Sequence, residues 1–195
     1  MTAPTRRRAG LDGPQVIDAA LRIADEQGLD ALSVARVAAA LGVRAPSIYN
    51  HVDGLDGLRR GIALRALGDV EAALARASIG RAGPDAVRAA AAAYRAYAHA
   101  HPGAYAAIQR AQPAGDDALT AAARRTTELL LALFRHWRLE GDALVHAARA
   151  LRSALHGFVV LEAGDGFGLA VDRDASFAWL VEQQLTSLDA IAAAT

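Results

Sequence analysis

The 195-residue chain contains no cysteine. It therefore has no disulfide framework and no thiolate metal site, and we expect a cytoplasmic location. No stretch reaches the roughly 18 uninterrupted apolar residues of a membrane-spanning helix, because arginines interrupt the alanine- and leucine-rich segments. The basic start MTAPTRRRAG is followed by an amphipathic segment and not by the apolar core of a secretory signal. The sequence thus predicts neither a membrane span nor a secretory signal.

The chain also lacks a net charge, since 21 basic residues balance 21 acidic residues. Bulk electrostatics therefore gives no support to nucleic-acid binding. The charges are unevenly distributed, because residues 1–65 hold nine arginines against seven acidic residues, and three of these arginines occupy positions 6–8. Residues 1–12 are predicted to form a short basic arm.

The apolar residues recur with the helical spacing, and no alternating run bounded by turn residues indicates a strand. A first helix begins near Pro14, and Ser33 is the predicted N-cap of a second helix that ends at Gly42. The pattern predicts an all-α fold with about nine helices in total. We expect a three-helix domain at residues 13–60, followed by a larger helical bundle at residues 61–195.

The segment LGVRAPSIYNHV, residues 41–52, directly follows the second predicted helix. Ile48 and Val52 lie at a spacing that turns both inward, which leaves a compact, polar outer face without acidic residues. Such a face suits a DNA major groove, because arginine can pair with guanine, asparagine with adenine, and small side chains permit close approach. From this pattern alone, a solvated helical corner and a helix-turn-helix motif are equally good interpretations.

The run ALSVARVAAALGVRAPSIYNHVDGLDGLRRGI, preceded by IDAALRIADEQG, resembles the N-terminal DNA-binding domain of TetR/AcrR-type bacterial transcriptional regulators. The resemblance covers residues 14 to about 62 and includes the LGV, PSIY and YNHV elements in the order of the family. It implies that a helix at 33–41 supports a recognition helix at about 45–51. The DNA-binding residues that it implies are Ser33, Arg44, Ala45, Pro46, Ser47, Tyr49, Asn50 and His51.

Two positions depart from the family pattern. Many relatives carry a phosphate-binding lysine where this chain has Leu55, and an arginine where it has Ala35. Either Arg59, Arg60 or the backbone replaces the first contact, or the affinity for DNA is lower. Arg36 lies one position after Ala35, the second departure. These departures concern the phosphate contacts and not the motif.

The last two predicted helices carry apolar residues at alternating spacings of four and three, which is the pattern of a narrow packing seam. The spacing alone favours a seam that completes the chain's own helical bundle. The resemblance implies instead a contact with a second protomer, because relatives dimerise through their last two helices. The dimer interface so predicted comprises Leu144, Ala148, Leu151, Leu155, Phe158, Phe177, Val181, Gln184 and Leu188.

Polar tips on the otherwise apolar middle helices are typical of a ligand pocket with a few orienting hydrogen bonds. The polar residues of this set are Tyr94, Tyr97, His101, Tyr105, Gln109, Gln112 and Trp137, and the apolar Phe134 accompanies them. From this set, the predicted ligand-binding residues are Tyr97, His101, Tyr105, Gln109 and Trp137. Taken singly, His101 before Pro102 fits a turn or cap residue better, and Trp137 fits the core better. We find no common catalytic motif and no metal-ligand spacing, and we expect no enzyme activity, metal or cofactor.

Together these features predict a ligand-responsive transcriptional repressor that binds a palindromic operator in double-stranded DNA as a homodimer. Its small-molecule effector is unidentified. The stretch LRSALHGFVVLEAGDGFG further resembles the ligand-sensing domain of an actinobacterial-looking branch of these regulators. Two alternatives stay open: a helical small-molecule-binding or catalytic bundle that has lost DNA binding, which Leu55 favours, and a protein-interaction module that uses the seams.

Overall fold

The computed structural model of the protein describes residues 11–112 and 114–193. The predicted basic arm therefore lies, up to residue 10, outside the described residues. Within the described ranges the chain forms nine α-helices, two 3₁₀ turns and no strand, which confirms the predicted all-α fold. The helices are α1 (Gly13–Gln27), α2 (Val34–Leu41), α3 (Ala45–Tyr49), α4 (Gly54–Ser78), α5 (Gly83–Ala100), α6 (Pro102–Arg110), α7 (Asp117–Leu133), α8 (Gly141–Ala163) and α9 (Arg173–Ala193). The 3₁₀ turns are Leu29–Ala31 and Phe134–Trp137.

Side-chain caps define the starts of the first two helices. The Asp12 carboxylate accepts a hydrogen bond from the Gln15 backbone N–H (2.8 Å), and the Gln15 side chain accepts one from the Asp12 N–H (3.3 Å). This capping box satisfies two backbone donors that the helix leaves free. The Ser33 hydroxyl accepts a hydrogen bond from the Arg36 N–H at 3.2 Å, which confirms Ser33 as the N-cap of α2.

The 25-residue α4 joins the N-terminal helices to the rest of the molecule. Leu58 and Ile62 in its first half are fully buried in the core, and α1 packs against this helix. At 1.5 Å per residue α4 is roughly 37 Å long. Even so, no helix in the described part of the chain is long and apolar enough to cross a membrane. The predicted domain boundary between residues 60 and 61 falls inside α4, and it stays a prediction.

The first turn of α6 packs tightly against the end of α1. The Asp25 carboxylate accepts a hydrogen bond from the Ala104 backbone N–H at 2.9 Å and lies 3.0 Å from His101 Nδ1. A Cβ atom added at Gly103 would lie 2.1 Å from the backbone of Ala24. The absence of a side chain at Gly103 therefore permits this close approach of the two backbones.

Two ion pairs near the surface connect further elements of the fold. Arg110 at the end of α6 forms a bidentate pair with Asp30, which lies between α1 and α2. Arg60 of α4 forms a second bidentate pair with Asp116, the N-cap of α7. Exposed pairs contribute little to stability individually, about 0–1 kcal/mol each, but paired guanidinium groups fix the relative orientation of the helices.

The apolar seam of the last two helices faces the chain's own core. Its ring contacts include Phe158 on Phe177, with centroids 5.1 Å apart. Seven of the nine predicted interface residues are buried within the protomer: Ala148, Leu151, Leu155, Phe158, Phe177, Val181 and Leu188. These seven side chains therefore pack mainly within the protomer, and their contact with a second protomer stays a prediction. Leu144 and Gln184 are half-buried.

Replacing Gly103 by Ala is expected to lower the free energy of unfolding by about 1–3 kcal/mol, because the added Cβ pushes α6 away from the Ala24 backbone. Gly68→Ala is the matched control. A Cβ at this position meets nothing within 4 Å, and loss of a helical glycine stabilises by up to about 1 kcal/mol. Chemical denaturation measures both effects. Equal stabilities of the two variants would contradict the close packing of α6 on α1.

Candidate nucleic-acid interface and ligand cavity

A tight turn ends α2 and redirects the chain into α3. Gly42 has a φ of 66°, in the left-handed region that glycine adopts without strain. The Val43 N–H donates to the Ala38 carbonyl (3.0 Å), and the Gly42 N–H donates to the Ala39 carbonyl (3.1 Å). These two bonds form a Schellman motif, which satisfies carbonyls at the end of α2 within the turn itself.

The short helix α3 is anchored by one fully buried side chain, Ile48. Because Ile48 defines the inward side, the neighbouring residues of the helix face outward. The structure ends α3 at Tyr49, two residues before the predicted end, so Asn50 and His51 lie in the turn that follows. The His51 N–H donates to the Ile48 carbonyl at 2.9 Å, and this bond holds the turn against the helix.

The residues around α3 form a polar surface that is free to bind another molecule. Its exposed members are Arg44, Pro46, Tyr49, Asn50 and His51, and the half-buried Ala45 and Ser47 lie between them. Tyr49 is 60% exposed. None of these side chains makes a hydrogen bond or ion pair within the described part of the chain. The structure thus brings together the predicted DNA-binding residues except Ser33, which caps α2, and their contact with DNA stays a prediction.

The two positions that depart from the family pattern have different surroundings. Leu55 is half-buried and packs against the core, which is the physical role of an apolar side chain there. Arg60 cannot easily replace a lysine at this position, because Asp116 holds its guanidinium group. Arg36, next to Ala35, donates to the Gln27 side chain at 2.7 Å.

Two other arginines stay available for a DNA phosphate. Arg59 is 42% exposed and lies 3.6 Å from the exposed Asp56, a weak pair that a phosphate can replace. Arg44 has no side-chain partner among the described residues and directly precedes α3. The positive charge near α3 therefore comes from Arg44 and Arg59.

A cavity of about 130 Å³ lies between α4, α5, α6, α7 and α8. Its apolar lining includes Leu67, Val70, Leu74, Val87, Leu130 and Leu133. Its polar lining consists of Tyr94, Tyr105, Gln109, Thr126, Thr127 and Arg152. Small-molecule sites commonly combine an apolar enclosure with a few polar groups in this way.

Two tyrosines of the cavity lining form a hydrogen-bonded chain with a histidine. The hydroxyl oxygens of Tyr94 and Tyr105 are 2.8 Å apart, and the Tyr105 hydroxyl lies 2.5 Å from His156 Nδ1. Burial raises the pKa of Tyr94 and of Tyr105 above that of a free phenol. Both hydroxyls are therefore protonated at neutral pH and can donate hydrogen bonds.

Two of the five predicted ligand-binding residues, Tyr105 and Gln109, line the cavity. The other three do not line this cavity and have partners within the chain, and their part in ligand binding stays a prediction. His101 binds the α1 carboxylate described above, and Tyr97 is buried beside the His101 ring with centroids 5.0 Å apart. Trp137 is buried and donates from Nε1 to an aspartate of α9 at 2.6 Å.

The sequence interpretation missed Arg152 and the threonines Thr126 and Thr127. It included Tyr94 in the wider set of polar tips but not among the five. Arg152 precedes His156 by four residues, which places both on one face of α8. This spacing, together with the nearby tyrosines, is the signal that could have identified Arg152.

A buried carboxylate connects α5, α8 and α9. Glu162 is 7% exposed, and Arg95 donates to both of its oxygens at 2.8 and 2.5 Å. His99 Nε2 lies 2.6 Å from one oxygen, and Arg95 also pairs with Asp174 at 2.8 Å. The hydrogen bonds from Arg95 are the main cause that lowers the pKa of Glu162 to about 2. Glu162 is therefore ionised and paired at neutral pH.

The three N-terminal helices have the arrangement of a helix-turn-helix motif. Val37 and Ala38 bury α2 in the core, a three-residue turn follows, and α3 exposes an unpartnered polar surface. In this motif the second helix enters the DNA major groove. The fold and the surface thus define an all-α, helix-turn-helix type of DNA-binding protein with a cavity in its C-terminal helices.

Comparisons with known proteins identify the family. Residues 16–58 match the model of "Bacterial regulatory proteins, tetR family", and residues 87–184 match that of "Tetracyclin repressor-like, C-terminal domain". The chain is 42% identical to the HTH-type transcriptional regulator Rv0681 of Mycobacterium tuberculosis over 90% of this chain and 80% of that protein. It is 32% identical to the HTH-type transcriptional regulator YobS of Bacillus subtilis over 93% of this chain and 94% of that protein. The chain belongs to the TetR family of bacterial transcriptional regulators and is not an enzyme.

Solved structures share this fold. A protein of unknown function from Rhodococcus sp. RHA1 has a TM-score of 0.81 at 21% identity, covering 95% of this chain and 100% of its own. The regulator SCO7222, a TetR from Streptomyces coelicolor, has a TM-score of 0.74 at 18% identity, covering 93% and 99%. At these identities the similarity concerns the fold alone.

The variant Glu162→Gln is expected to be less stable than the parent protein at neutral pH. The pKa of Glu162 is lowered from 4.5 to about 2 on folding. The ionised side chain therefore contributes to the free energy of unfolding above pH 4.5, and this contribution disappears as the pH falls towards 2. The stability difference between the two proteins should therefore shrink over this interval. Denaturation curves from pH 7 to pH 2 measure it.

Glu128→Gln is the control for this measurement, since Glu128 forms an exposed pair with Arg124 that contributes less than about 1 kcal/mol. A stability difference for Glu162→Gln that does not change with pH would contradict an ionised, paired Glu162 in the folded state.

Proposed function

We propose that the protein is a homodimeric, ligand-responsive repressor that acts in the cytoplasm. It binds a palindromic operator in double-stranded DNA and releases it when a small-molecule effector occupies the cavity. The continuous helix α4 carries this proposal. Leu58 and Ile62 of α4 are buried in the core, and Leu67, Val70 and Leu74 of the same helix line the cavity. A change in cavity shape can therefore move the helices that present α3.

The surface around α3 supports the DNA-binding part of the proposal. Arg44 and Asn50 are exposed, unpartnered and of the types that pair with guanine and adenine. Tyr49 can donate a hydrogen bond to a phosphate. A single helix of five residues offers too little contact area for specific binding. Two copies related by a two-fold axis would contact half-sites roughly 34–36 Å apart, which accounts for a palindromic operator.

The outward faces of α8 and α9 support the homodimer. Within the described residues, nine large apolar side chains are exposed, and seven of them lie between positions 145 and 191. They are Val145, Val160, Leu161, Leu169, Val171, Trp179 and Ile191. Val160 and Trp179 lie opposite the buried seam of their helices. Exposed apolar side chains concentrated in this part of the chain are what a second protomer would cover.

The effector acts through its different affinities for two conformations of the dimer. The junction of α6 with α1 provides a second connection besides α4, because Tyr105 and Gln109, two and six residues after Gly103, line the cavity. An effector that shifts α6 also shifts the α1 backbone against which it packs. The spacing of the two α3 helices would then no longer match the operator.

Footprinting of a promoter or random-sequence DNA pool tests the function. We expect a protected inverted repeat with the parent protein. Tyr49→Ala should bind it about tenfold more weakly, the loss of roughly one hydrogen bond, while the dimer and its melting temperature are unchanged because Tyr49 packs against nothing in the core. Absence of any protected repeat at every salt concentration would refute the proposed function.

Trp179→Arg tests the dimer. A charge on the apolar face of α9 should raise the dissociation constant of the dimer at least about tenfold, since central aromatic residues dominate interface energies. Ile79→Arg is the matched control, because Ile79 is 74% exposed but lies on neither α8 nor α9. Light scattering over a concentration series measures the oligomeric state. A dimer that tolerates Trp179→Arg, or is weakened equally by both variants, would place the interface elsewhere.

A further inference from the structure

We infer that the cavity binds a small monocarboxylate, whose apolar body lies among the leucines and whose carboxylate binds Arg152. This inference rests on the proposed function, because it specifies the chemical class of the effector. It follows from the size of the cavity, from the sign of the charge in its lining and from the hydrogen-bond donors that stay unused there.

The apolar walls limit the body of the ligand. The cavity measures about 130 Å³, and Leu67, Leu74, Leu130 and Leu133 are among its lining residues. A dry apolar cavity of roughly 150 Å³ is known to hold benzene. One aromatic ring or a chain of about six carbons therefore fits, and a larger molecule would have to extend beyond the cavity.

Arg152 determines the charge of the ligand. It is the one charged residue in the described lining, where no carboxylate opposes it. Its side chain makes no hydrogen bond or ion pair among the described residues, in contrast to Arg95 and Arg60, which carboxylates of the chain neutralise. Arg152 is exposed overall and yet lines the cavity, so it lies at the rim. A guanidinium group in this position can bind a carboxylate with two parallel hydrogen bonds.

The other polar groups of the lining differ in whether they can still donate. The hydroxyls of Thr126 and Thr127 already donate to carbonyls of their own helix, at 3.3 and 2.9 Å. The Gln109 amide makes no hydrogen bond among the described residues, lines the cavity and is exposed. Gln109 thus adds a second free donor to the lining of the cavity.

The tyrosine chain can supply a third donor. If His156 Nδ1 carries the proton, it donates to Tyr105, Tyr105 donates to Tyr94, and the Tyr94 hydroxyl hydrogen is left for the ligand. The observed distances of 2.5 and 2.8 Å permit this direction of donation as well as the reverse. A carboxylate only accepts hydrogen bonds, so its binding would select the direction in which Tyr94 donates to the ligand. A cation or a ligand that only donates would find few acceptors among these groups.

Calorimetric titration of the full-length dimer with four probes tests the inference: benzoate and hexanoate, and their neutral counterparts benzamide and hexanamide. At pH 7 and fixed salt we expect each acid to bind about 10- to 100-fold more tightly than its amide, the range of a charge-assisted hydrogen bond. Equal binding of acid and amide, or no heat from any of the four probes at millimolar concentration, would overturn the inference.

Substitutions locate the site of the carboxylate. Arg152→Gln should abolish the preference for the acids. Arg76→Gln should leave it intact, because Arg76 is also exposed and unpaired within the described chain but does not line the cavity. Tyr94→Phe should weaken the binding of benzoate and hexanoate several-fold. Tyr97→Phe should leave their binding unchanged, since Tyr97 is buried outside the cavity. Retained preference in Arg152→Gln, or equal losses in both arginine variants, would refute the assignment.

Footprinting with the same probes separates this inference from the proposed function. If benzoate binds in the cavity but the operator stays protected, the proposed release mechanism fails and the ligand class stands. If benzamide releases the operator as well as benzoate does, the regulator is ligand-responsive and the inferred carboxylate preference is wrong.

Discussion

The contact between Asp25 of α1 and the first turn of α6 is the constraint on which both sites depend. Asp25 accepts a hydrogen bond from the Ala104 N–H, directly before the cavity-lining Tyr105. Gly103 brings the α6 backbone against that of Ala24. The nine-residue α6 thus has one end tied to the DNA-binding helices while its later turns line the cavity. Along this path the two sites are joined by directly packed helices, which is the connection that the proposed ligand response requires.

The distribution of charge follows the same division between internal packing and external binding. Glu162 and Asp116 are neutralised by arginines of the same chain, which fixes helices relative to one another. Arg44 and Arg152 have no such partners within the described residues. An exposed, unpaired guanidinium group keeps its hydration and can exchange it for an anion. The zero net charge of the chain conceals this difference, because the sum does not distinguish paired from unpaired charges.

The N-terminal helices were predictable because their signals are local. Ser33 caps α2 through its own backbone neighbours, Gly42 supplies the left-handed turn, and Ile48 is the one fully buried residue of α3. Each of these acts within about five residues of the chain, so spacing and residue type suffice. The prediction ended α3 at about residue 51, two residues after the observed end at Tyr49. The difference arises because a short turn continues the helical hydrogen bonding up to Val52.

The C-terminal helices show what a sequence pattern leaves undetermined. The spacing of Phe158 and Phe177 correctly predicted buried faces, but a helical period defines a face and not the surface that covers it. Tyr94 and Tyr97 lie less than one turn apart on α5, and only the rotation of that helix against α6 and α8 decides which of them lines the cavity. The sequence by itself determined the helices and their buried faces, because these depend on local hydrogen bonding and periodicity. It indicated the DNA-binding motif only through the resemblance of residues 14 to about 62 to the family, since the spacing fits a solvated corner equally well. The tertiary structure alone decided that the α8–α9 seam closes within the protomer and that Arg152 joins the tyrosines, since both require helices distant in sequence to pack together.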